Sequence, residues 1–130
     1  MADVDLCEQE KKLASAINFE VVSSLAEYCE VTGAVLIQIS TDYVFDGQAG
    51  PYNETDSPNP INYYGRTKLA AEKVIQDSEC DYIIARAVHV YGNLPDAPSK
   101  QLAWLLAARD KGSEIRGAID QNKRAYPLIS

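Results

Sequence analysis

A tyrosine and a lysine four positions apart are the residues in this sequence best able to do chemistry. Tyr64 and Lys68 lie in a segment with a helical pattern, so their side chains share one face of a helix. An ammonium group beside a phenol favours the phenolate and lowers a phenol pKa that is ordinarily about 10. Such a phenol can donate a proton to a carbonyl oxygen or remove one from an alcohol. The spacing alone fits an ordinary surface pair equally well.

Two hydroxyl residues, Ser40 and Thr41, end a short apolar run upstream of that pair. A hydroxyl at a strand end can hydrogen-bond the carbonyl oxygen that a tyrosine protonates, although it can also serve only to satisfy backbone groups. A loop rich in proline and glycine separates these hydroxyls from Tyr64. The combination of strand-end hydroxyl, turn-rich loop and helical tyrosine-lysine pair favours a catalytic interpretation.

Alternating helical and strand patterns indicate an α/β protein. Apolar residues at steps of three and four predict a helix over residues 10–31. Its apolar stripe consists of Leu13, Ile17, Val21, Leu25 and Tyr28, with Ala14, Val22 and Ala26 beside them. Residues 34–40 and 82–87 are short, β-branched and apolar, which is typical of strands covered on both faces. Further helices are predicted over residues 62 to about 76 and from about residue 99, with a third short strand at 115–119.

This order of elements is typical of a parallel sheet with crossover helices. Ligands of such sheets bind beyond the carboxyl ends of the strands. The two ends concerned are the corners after Ser40 and after Ala87. Chemistry is therefore expected at these two corners.

Composition excludes several classes of protein. The 130 residues suit one domain, and 12 basic against 19 acidic residues give a net charge of −7, which argues against nucleic-acid binding. The longest apolar run, residues 102–108, falls well short of the roughly 20 residues of a membrane span. The acidic N-terminus does not resemble a signal peptide. Cys7, Cys29 and Cys80 show no ligand-like spacing, so we expect reduced thiols, no metal site and a cytoplasmic location.

Three motifs resemble the extended short-chain dehydrogenase/reductase superfamily. They are Ile39-Ser-Thr-Asp-Tyr-Val-Phe-Asp-Gly47, Tyr64-Gly-x-Thr-Lys68-Leu-x-x-Glu72 and Arg86-x-x-x-Val90-Tyr-Gly92. Within it the chain is most similar to the dTDP-4-dehydrorhamnose reductase branch, which includes the regulatory beta subunit of methionine adenosyltransferase. The resemblance extends over about residues 2–127. It implies a partial Rossmann-like, doubly wound parallel sheet, with residues 1–130 forming about the second half of an NAD(P)-binding domain that carries the catalytic segment.

The resemblance also implies roles for individual residues. Tyr64 is expected to protonate the C4 oxygen of a 4-keto deoxysugar nucleotide during hydride transfer from NADPH or NADH. Lys68 is expected to lower the pKa of Tyr64 and to bind the nicotinamide ribose, and Thr41 to orient the carbonyl. Asn18 matches a supporting helix asparagine. The remaining expected contacts are Ser40, Ala87 and Val88 for the cofactor, and Asp42, Tyr43 and His89 for the substrate.

Two departures from the branch pattern affect these expectations. His89 replaces a tryptophan of the branch, and its role as a packed residue or as a substrate contact stays open. The sequence contains no Gly-x-x-Gly-x-x-Gly, the turn that presents backbone N–H groups to a cofactor pyrophosphate. The branch's first strands and its C-terminal lobe are also expected to be missing. We therefore expect weak or no cofactor binding, and no activity, from this chain alone.

Two alternatives to a reductase stay open. A non-catalytic regulatory module resembling the methionine adenosyltransferase beta subunit would share the scaffold, although both Tyr64 and Lys68 are present. A sugar-nucleotide epimerase or dehydratase fragment is the other, but dehydratases add paired carboxylates after the strand-end threonine, and only Asp42 is found. The first strand is expected to expose an edge, through which a second copy or a complementing chain could pair. The expected small-molecule partner is a sugar nucleotide.

Overall fold

The computed structural model describes residues 1–88, 90–91, 93–94, 97–98, 110 and 126–127. The chain divides into two compact units, Met1–Ala87 and Val88–Ser130. Among the described residues, the first unit contains the complete helices and the longer strands, and it carries most of the residues with expected functions.

The helix predicted over residues 10–31 is present as three consecutive segments. These are α2 at Lys11–Ser15, a π-helical turn at Ala16–Glu20 and α3 at Val21–Thr32. A short helix that the pattern did not predict, α1 at Val4–Gln9, precedes them. Gly33 ends α3 with φ of 70°, the left-handed conformation that glycine adopts without a steric penalty.

Only part of the predicted apolar stripe of this helix is buried. Its five larger members, from Leu13 to Tyr28, are 43–63% exposed, whereas Ala14, Val22 and Ala26 beside them are buried. The buried face lies one position further along the chain and consists of Ala14, Asn18, Val22, Ala26 and Cys29. Because both faces carry apolar residues, the periodicity cannot choose between them. The face with the smaller side chains is the one that packs against the rest of the unit.

Two parallel strands and the helix that connects them form the centre of the first unit. Strand β1 at Leu36–Thr41 pairs with β2 at Tyr82–Ala87, and α4 at Tyr63–Gln76 lies between them in sequence. These elements confirm the predicted α/β class and the three predicted ranges. The core consists of Val22, Ala26, Cys29, Leu36, Ala71, Ile75 and Cys80, with Val74 and Ile84 packed against it.

Only one face of this two-stranded sheet is covered among the described residues. Leu36 and Ile84 belong to the helix-facing core, whereas Ile37 and Ile39 are 62% and 58% exposed and Ile83 is exposed as well. Side chains of a strand alternate between its two faces, so β1 directs one set toward α3 and α4 and the other set outward. The described residues therefore cover one of the two faces for which the apolar runs predicted cover.

The second unit is described through four short strands. Strand β3 at Val90–Tyr91 pairs in parallel with β6 at Tyr126–Pro127, and β4 at Asn93–Leu94 is antiparallel to β5 at Ala97–Pro98. The helix expected from residue 99 and the strand expected at 115–119 fall outside the described residues. No helix in the described part of the chain is long and apolar enough to cross a membrane.

Candidate active site

The structure brings Thr41 and Tyr64 together at the carboxyl end of β1. Thr41 is the last residue of that strand, and Tyr64 lies in the first turn of α4. Asn62 caps the helix, with its side-chain oxygen accepting a hydrogen bond from the Gly65 backbone N–H at 2.8 Å. The cap fixes where α4 begins, and the Thr41 hydroxyl lies close enough to the phenol of Tyr64 to lower its pKa.

Gly65 permits this close approach between helix and strand end. A Cβ atom built at Gly65 would overlap with the backbone carbonyl of Tyr43 and would also press on Pro60 at 3.0 Å. Tyr43 belongs to the 3-10 turn Asp42–Val44 that directly follows β1. A side chain at position 65 would therefore push Tyr64 away from Thr41.

Burial is the largest influence on the phenol of Tyr64. The half-buried position raises its pKa above the ordinary value, and the nearby Thr41 hydroxyl lowers it, while the charge of Asp42 raises it further. The expected lowering by Lys68 is not what this structure shows. Desolvation penalises the phenolate, and the Lys68 ammonium is held by another group.

Lys68 lies one turn after Tyr64 on α4, and its Nζ donates a hydrogen bond to the backbone carbonyl oxygen of Ile39 at 2.5 Å. Burial lowers the pKa of this ammonium, whereas the carboxylate of Glu72 raises it. Glu72 follows at the next i, i+4 position, where side chains on a helix are neighbours. Lys68 is therefore anchored to β1 rather than directed only at Tyr64.

Ser40 lies on the helix-facing side of β1, where its hydroxyl donates to the carboxylate of Glu72. Glu72 is completely buried. It forms an ion pair with Arg86 of β2, at 2.7 Å between Nη2 and Oε2 and 3.1 Å between Nε and Oε1. The guanidinium also lies 5.1 Å from the ring centroid of Phe45. This cluster joins β1, α4 and β2 behind the site.

The other expected ligand contacts are distributed unevenly. The ring of Tyr43 meets that of Tyr64 edge to face at a centroid distance of 5.8 Å, and Asp42 accepts a hydrogen bond from the Thr41 hydroxyl at 3.2 Å.

Ala87 is the register partner of Thr41, so it lies at the same end of the sheet. Val88 belongs to the second unit and is half-buried. His89 lies outside the described residues.

Asn18 is connected to the site through Thr67. Its Nδ2 donates to the Thr67 hydroxyl at 3.1 Å, and that hydroxyl donates to the backbone carbonyl of Tyr64 at 2.8 Å. Asn18 lies in the π-helical turn, a feature that often marks functional positions. Its side-chain oxygen accepts a bond from the N-terminal ammonium of Met1 at 2.8 Å. These bonds give Asn18 a supporting position behind Tyr64.

Sequence reasoning assigned no role to Gly65, Glu72 or Arg86. All three lie inside the motifs that carry the family resemblance. Their roles depend on contacts with residues distant in the chain, and a local sequence pattern does not reveal such contacts. All three cysteines are free and buried. Within the described residues no group of three histidine, cysteine or acidic side chains is placed to hold a metal ion.

The arrangement can protonate an oxygen atom. Burial keeps Tyr64 in its neutral, proton-donating form, and Thr41 holds a second hydroxyl beside it. A carbonyl oxygen at this point could accept a hydrogen bond from both groups, which is the geometry that general acid catalysis needs. Lys68 adds a cation on the same helix.

Known proteins share this sequence and fold. The family model of the RmlD substrate binding domain matches residues 1–124. A dTDP-4-dehydrorhamnose reductase from Salmonella typhimurium is 39% identical over 113 residues, covering 86% of this chain and 38% of the relative. Methionine adenosyltransferase 2 subunit beta from Bos taurus is 41% identical over 90 residues, covering 69% of this chain and 27% of the relative.

A solved structure agrees with these sequence matches. The crystal structure of a dTDP-4-dehydrorhamnose reductase from Bacillus anthracis in complex with NADP superposes with a TM-score of 0.78 at 32% identity, covering 85% of this chain and 39% of that one. The chain thus spans less than half the length of the relatives that it matches. With its α/β fold, it belongs to the RmlD substrate-binding domain family of the extended short-chain dehydrogenases/reductases.

Proposed function

We propose that this chain supplies the proton-donating segment of a reductase that acts on a 4-keto deoxysugar nucleotide. The observation that carries the proposal is the position of the Thr41 hydroxyl beside the phenol of Tyr64 at the carboxyl end of β1. A reductase-like activity is supported by relatives that are dTDP-4-dehydrorhamnose reductases. The buried free thiols fit a reducing compartment, so we place this activity in the cytoplasm.

Each residue has a defined task in this proposal. Tyr64 gives its proton to the C4 oxygen, since burial raises its pKa and keeps the phenol neutral near pH 7. Thr41 fixes the direction of the carbonyl by hydrogen bonding, and Asp42 and Tyr43 contact the sugar nucleotide at the same strand end. Ala87, Val88 and His89 are the remaining proposed contacts, on the chain that continues from β2.

The residues present fit one end of a nicotinamide cofactor. Lys68 uses one N–H on Ile39 and, as an ammonium with three donors, retains two for the hydroxyls of a ribose. Bound NADPH or NADH supplies the hydride in this chemistry. The sequence contains no glycine-rich turn for the pyrophosphate, so we expect the rest of the cofactor to find few partners on this chain.

A chimeric enzyme tests the proposal. Residues 1–124 of this chain replace the matching segment of the Salmonella typhimurium reductase, and NADPH oxidation is followed with dTDP-4-dehydrorhamnose. We expect measurable turnover from the chimera, and a loss of about 100-fold or more in kcat when Tyr64→Phe removes the general acid. Turnover by the chain alone is expected to be below detection.

The neighbouring tyrosine provides the matched control. Tyr63 is half-buried in the same helical turn and lies beside Lys11 at 5.5 Å from its ring centroid, away from the Thr41 pair. Tyr63→Phe is expected to leave kcat within about twofold. A folded chimera without turnover, or one in which both substitutions have equal effects, would show that this segment does not supply the acid.

The methionine adenosyltransferase beta subunits support a second candidate function. They are as similar to this chain as the reductases are, so a regulatory module that binds a synthetase subunit is the alternative proposal. Size-exclusion chromatography with the catalytic methionine adenosyltransferase subunit distinguishes the two. Co-elution that survives Tyr64→Phe would favour the regulatory module, whereas separate elution and an active chimera would favour the reductase.

A further inference from the structure

The loop of residues 45–62 connects the 3-10 turn after β1 to the start of α4. Every residue of this segment is described, and none of them lies in a helix or a strand. Loops longer than about 12–15 residues without secondary structure are usually functional or disordered. Ordering such a loop costs conformational entropy, so an ordered conformation requires contacts that hold it in place.

A network around Asp46 joins the two arms of this loop. The carboxylate accepts hydrogen bonds from the Tyr52 hydroxyl at 2.6 Å and from the Asn59 side-chain amide at 2.8 Å. It also accepts one from the Gln48 backbone N–H at 2.9 Å. These bonds, above all that of Tyr52, lower the pKa of the carboxyl to about 2, so the acceptor is ionised near pH 7. The rings of Phe45 and Tyr52 stack with their centroids 4.3 Å apart.

Arg86 connects this loop to β2 and α4 through three contacts of one guanidinium. Its Nη1 donates to the backbone carbonyl of Glu54 at 3.4 Å, and its Cζ lies 5.1 Å from the ring centroid of Phe45. Its Nε and Nη2 are bonded to the buried carboxylate of Glu72. A planar guanidinium with five donors can pair with a carboxylate and stack on an aromatic ring at the same time. Glu72 thus fixes the guanidinium, and the guanidinium holds the loop at two points.

The loop is in turn connected to the 3-10 turn after β1. Phe45 directly follows this turn, and the backbone N–H of Asn59 donates to the carbonyl of Val44 at 2.9 Å. Tyr43, in the middle of the turn, lies edge to face against the ring of Tyr64. A displacement of the loop would therefore move the turn as well.

We propose that Arg86 is a positioning residue that holds residues 45–62 against β2 and thereby keeps Asp42 and Tyr43 in place for a substrate. We expect it to act on substrate binding rather than on proton transfer, since the general acid is positioned by α4 itself. The role toward a substrate rests on the proposed function, whereas the anchoring of the loop does not.

Arg86→Lys separates the anchor from the ion pair. The lysine retains a cation for Glu72, but one ammonium cannot pair with that carboxylate while it also reaches the Glu54 carbonyl and covers the ring of Phe45. The matched control is Arg66→Lys, which makes the same chemical change at an exposed position of α4. The control is expected to leave the loop unchanged.

A second variant guards against a loss of folding in Arg86→Lys. The double substitution Glu72→Leu with Arg86→Met removes the anchor and leaves no unpaired buried charge. Both variants are expected to affect the loop in the same direction. Circular dichroism and urea unfolding verify that each protein is folded before the loop is measured.

Amide hydrogen exchange, followed by NMR, measures the loop in the chain itself. The N–H of Ala49 donates to the Tyr52 hydroxyl at 3.0 Å, and that of Asn59 joins the loop to the turn. Exchange of both amides is expected to accelerate by about tenfold in Arg86→Lys and in the double variant, the usual effect of one lost hydrogen bond on an opening equilibrium. Amides of α3 are expected to keep their wild-type rates. Exchange at Ala49 and Asn59 that equals that of Arg66→Lys in both variants would overturn the anchor.

Steady-state kinetics of the chimeric reductase test the role toward a substrate. Arg86→Lys is expected to raise the KM for dTDP-4-dehydrorhamnose by about tenfold and to change kcat by less than about threefold. Tyr64→Phe is expected to lower kcat instead, so the two roles have different signatures. Faster exchange with an unchanged KM, or a fall in kcat alone, would overturn the positioning role. A folded chimera that lacks turnover with Arg86 in place would instead contradict the proposed function, and amide exchange would still decide whether Arg86 anchors the loop.

Discussion

Tyr64 is half-buried at the start of α4, next to the Thr41 hydroxyl and near the carboxylate of Asp42, and its pKa is raised. In the unfolded chain the same phenol has a pKa of about 10. The folded state therefore holds this proton more tightly. The stabilisation that results is complete below about pH 10 and is lost as the pH rises through the folded-state pKa.

This shift predicts a loss of stability at alkaline pH that depends on one residue. Urea unfolding of the wild type between pH 8 and 11 is expected to show a free energy of unfolding that falls above about pH 10. Tyr64→Phe is expected to flatten that fall, and Tyr63→Phe to retain it. Burial lowers the pKa of Lys68, so its titration makes the free energy of unfolding rise with pH. This contribution is the same in all three proteins and cancels in the comparison. Identical curves for the two variants would contradict the prediction.

Glu72 is predicted to be the most costly single side chain to remove from the site's surroundings. Glu72→Ala leaves the guanidinium of Arg86 without its carboxylate partner, and breaking a buried pair in this way costs about 3–5 kcal/mol. The matched control is Glu27→Ala, at an exposed position of α3. It is expected to change the free energy of unfolding by less than about 0.5 kcal/mol. Urea unfolding at pH 7 measures both, and a loss below about 1 kcal/mol for Glu72→Ala would contradict the prediction.

The double variant shows what this ion pair contributes. Replacing both partners, as in Glu72→Leu with Arg86→Met, leaves no unpaired charge and is expected to recover most of the stability lost in Glu72→Ala.

The sequence placed both residues of this ion pair inside recognisable motifs. It could not show that they meet, because the pairing depends on α4 and β2 packing at one register.

At the scale of elements, local patterns predicted the positions of β1, α4 and β2 but not their environments. The spacing of Tyr64 and Lys68 correctly placed them on one helix, because that relation depends on helix geometry alone. The apolar stripe predicted over α2 and α3 contained both the exposed row that begins at Leu13 and the buried row that begins at Ala14, because only tertiary packing decides which row is buried. The π-helical turn around Asn18 leaves no comparable pattern in the sequence.

The packing of α4 against the turn after β1 limits position 65 to glycine. Alanine is favoured over glycine within a helix by about 1 kcal/mol, so helix propensity alone predicts that Gly65→Ala stabilises α4. The overlap with the Tyr43 carbonyl opposes this, because backbone must move and overpacking costs about 1–3 kcal/mol. We expect net destabilisation in urea unfolding, together with a further rise in the pKa of Tyr64 as Thr41 is lost as a partner.

The exposed neighbour Arg66 provides the control for that substitution. Arg66→Ala changes the same helical turn without touching Tyr43 and is expected to alter stability by less than about 0.5 kcal/mol. Carbon-13 NMR of the tyrosine rings across the alkaline range measures the pKa of Tyr64. A stabilised Gly65→Ala with an unchanged pKa would show that α4 and the strand end have room to separate.

At the scale of the whole molecule, the sheet has one covered face and one exposed face in the described residues, and its best-defined functional groups gather at one corner. Under the proposed function, Thr41 and Tyr64 at this corner bind a carbonyl, and Lys68 binds a ribose. The sequence lacks the glycine-rich turn that binds pyrophosphate. The parts of a dinucleotide are therefore expected to contribute unequally to its affinity for this chain.

This asymmetry predicts that the chain alone distinguishes poorly between a whole dinucleotide and its nicotinamide half. A pyrophosphate cradled by backbone N–H groups at a helix N-terminus adds much of the affinity in dinucleotide-binding sheets, and without it only the ribose contacts of Lys68 act. Fluorescence titrations with NADPH and with reduced nicotinamide mononucleotide are expected to give dissociation constants above the micromolar range and within about threefold of each other. Lys68→Met is expected to weaken both equally. A micromolar affinity for NADPH, tenfold or more above that for the mononucleotide, would mean that other residues of this chain bind the pyrophosphate.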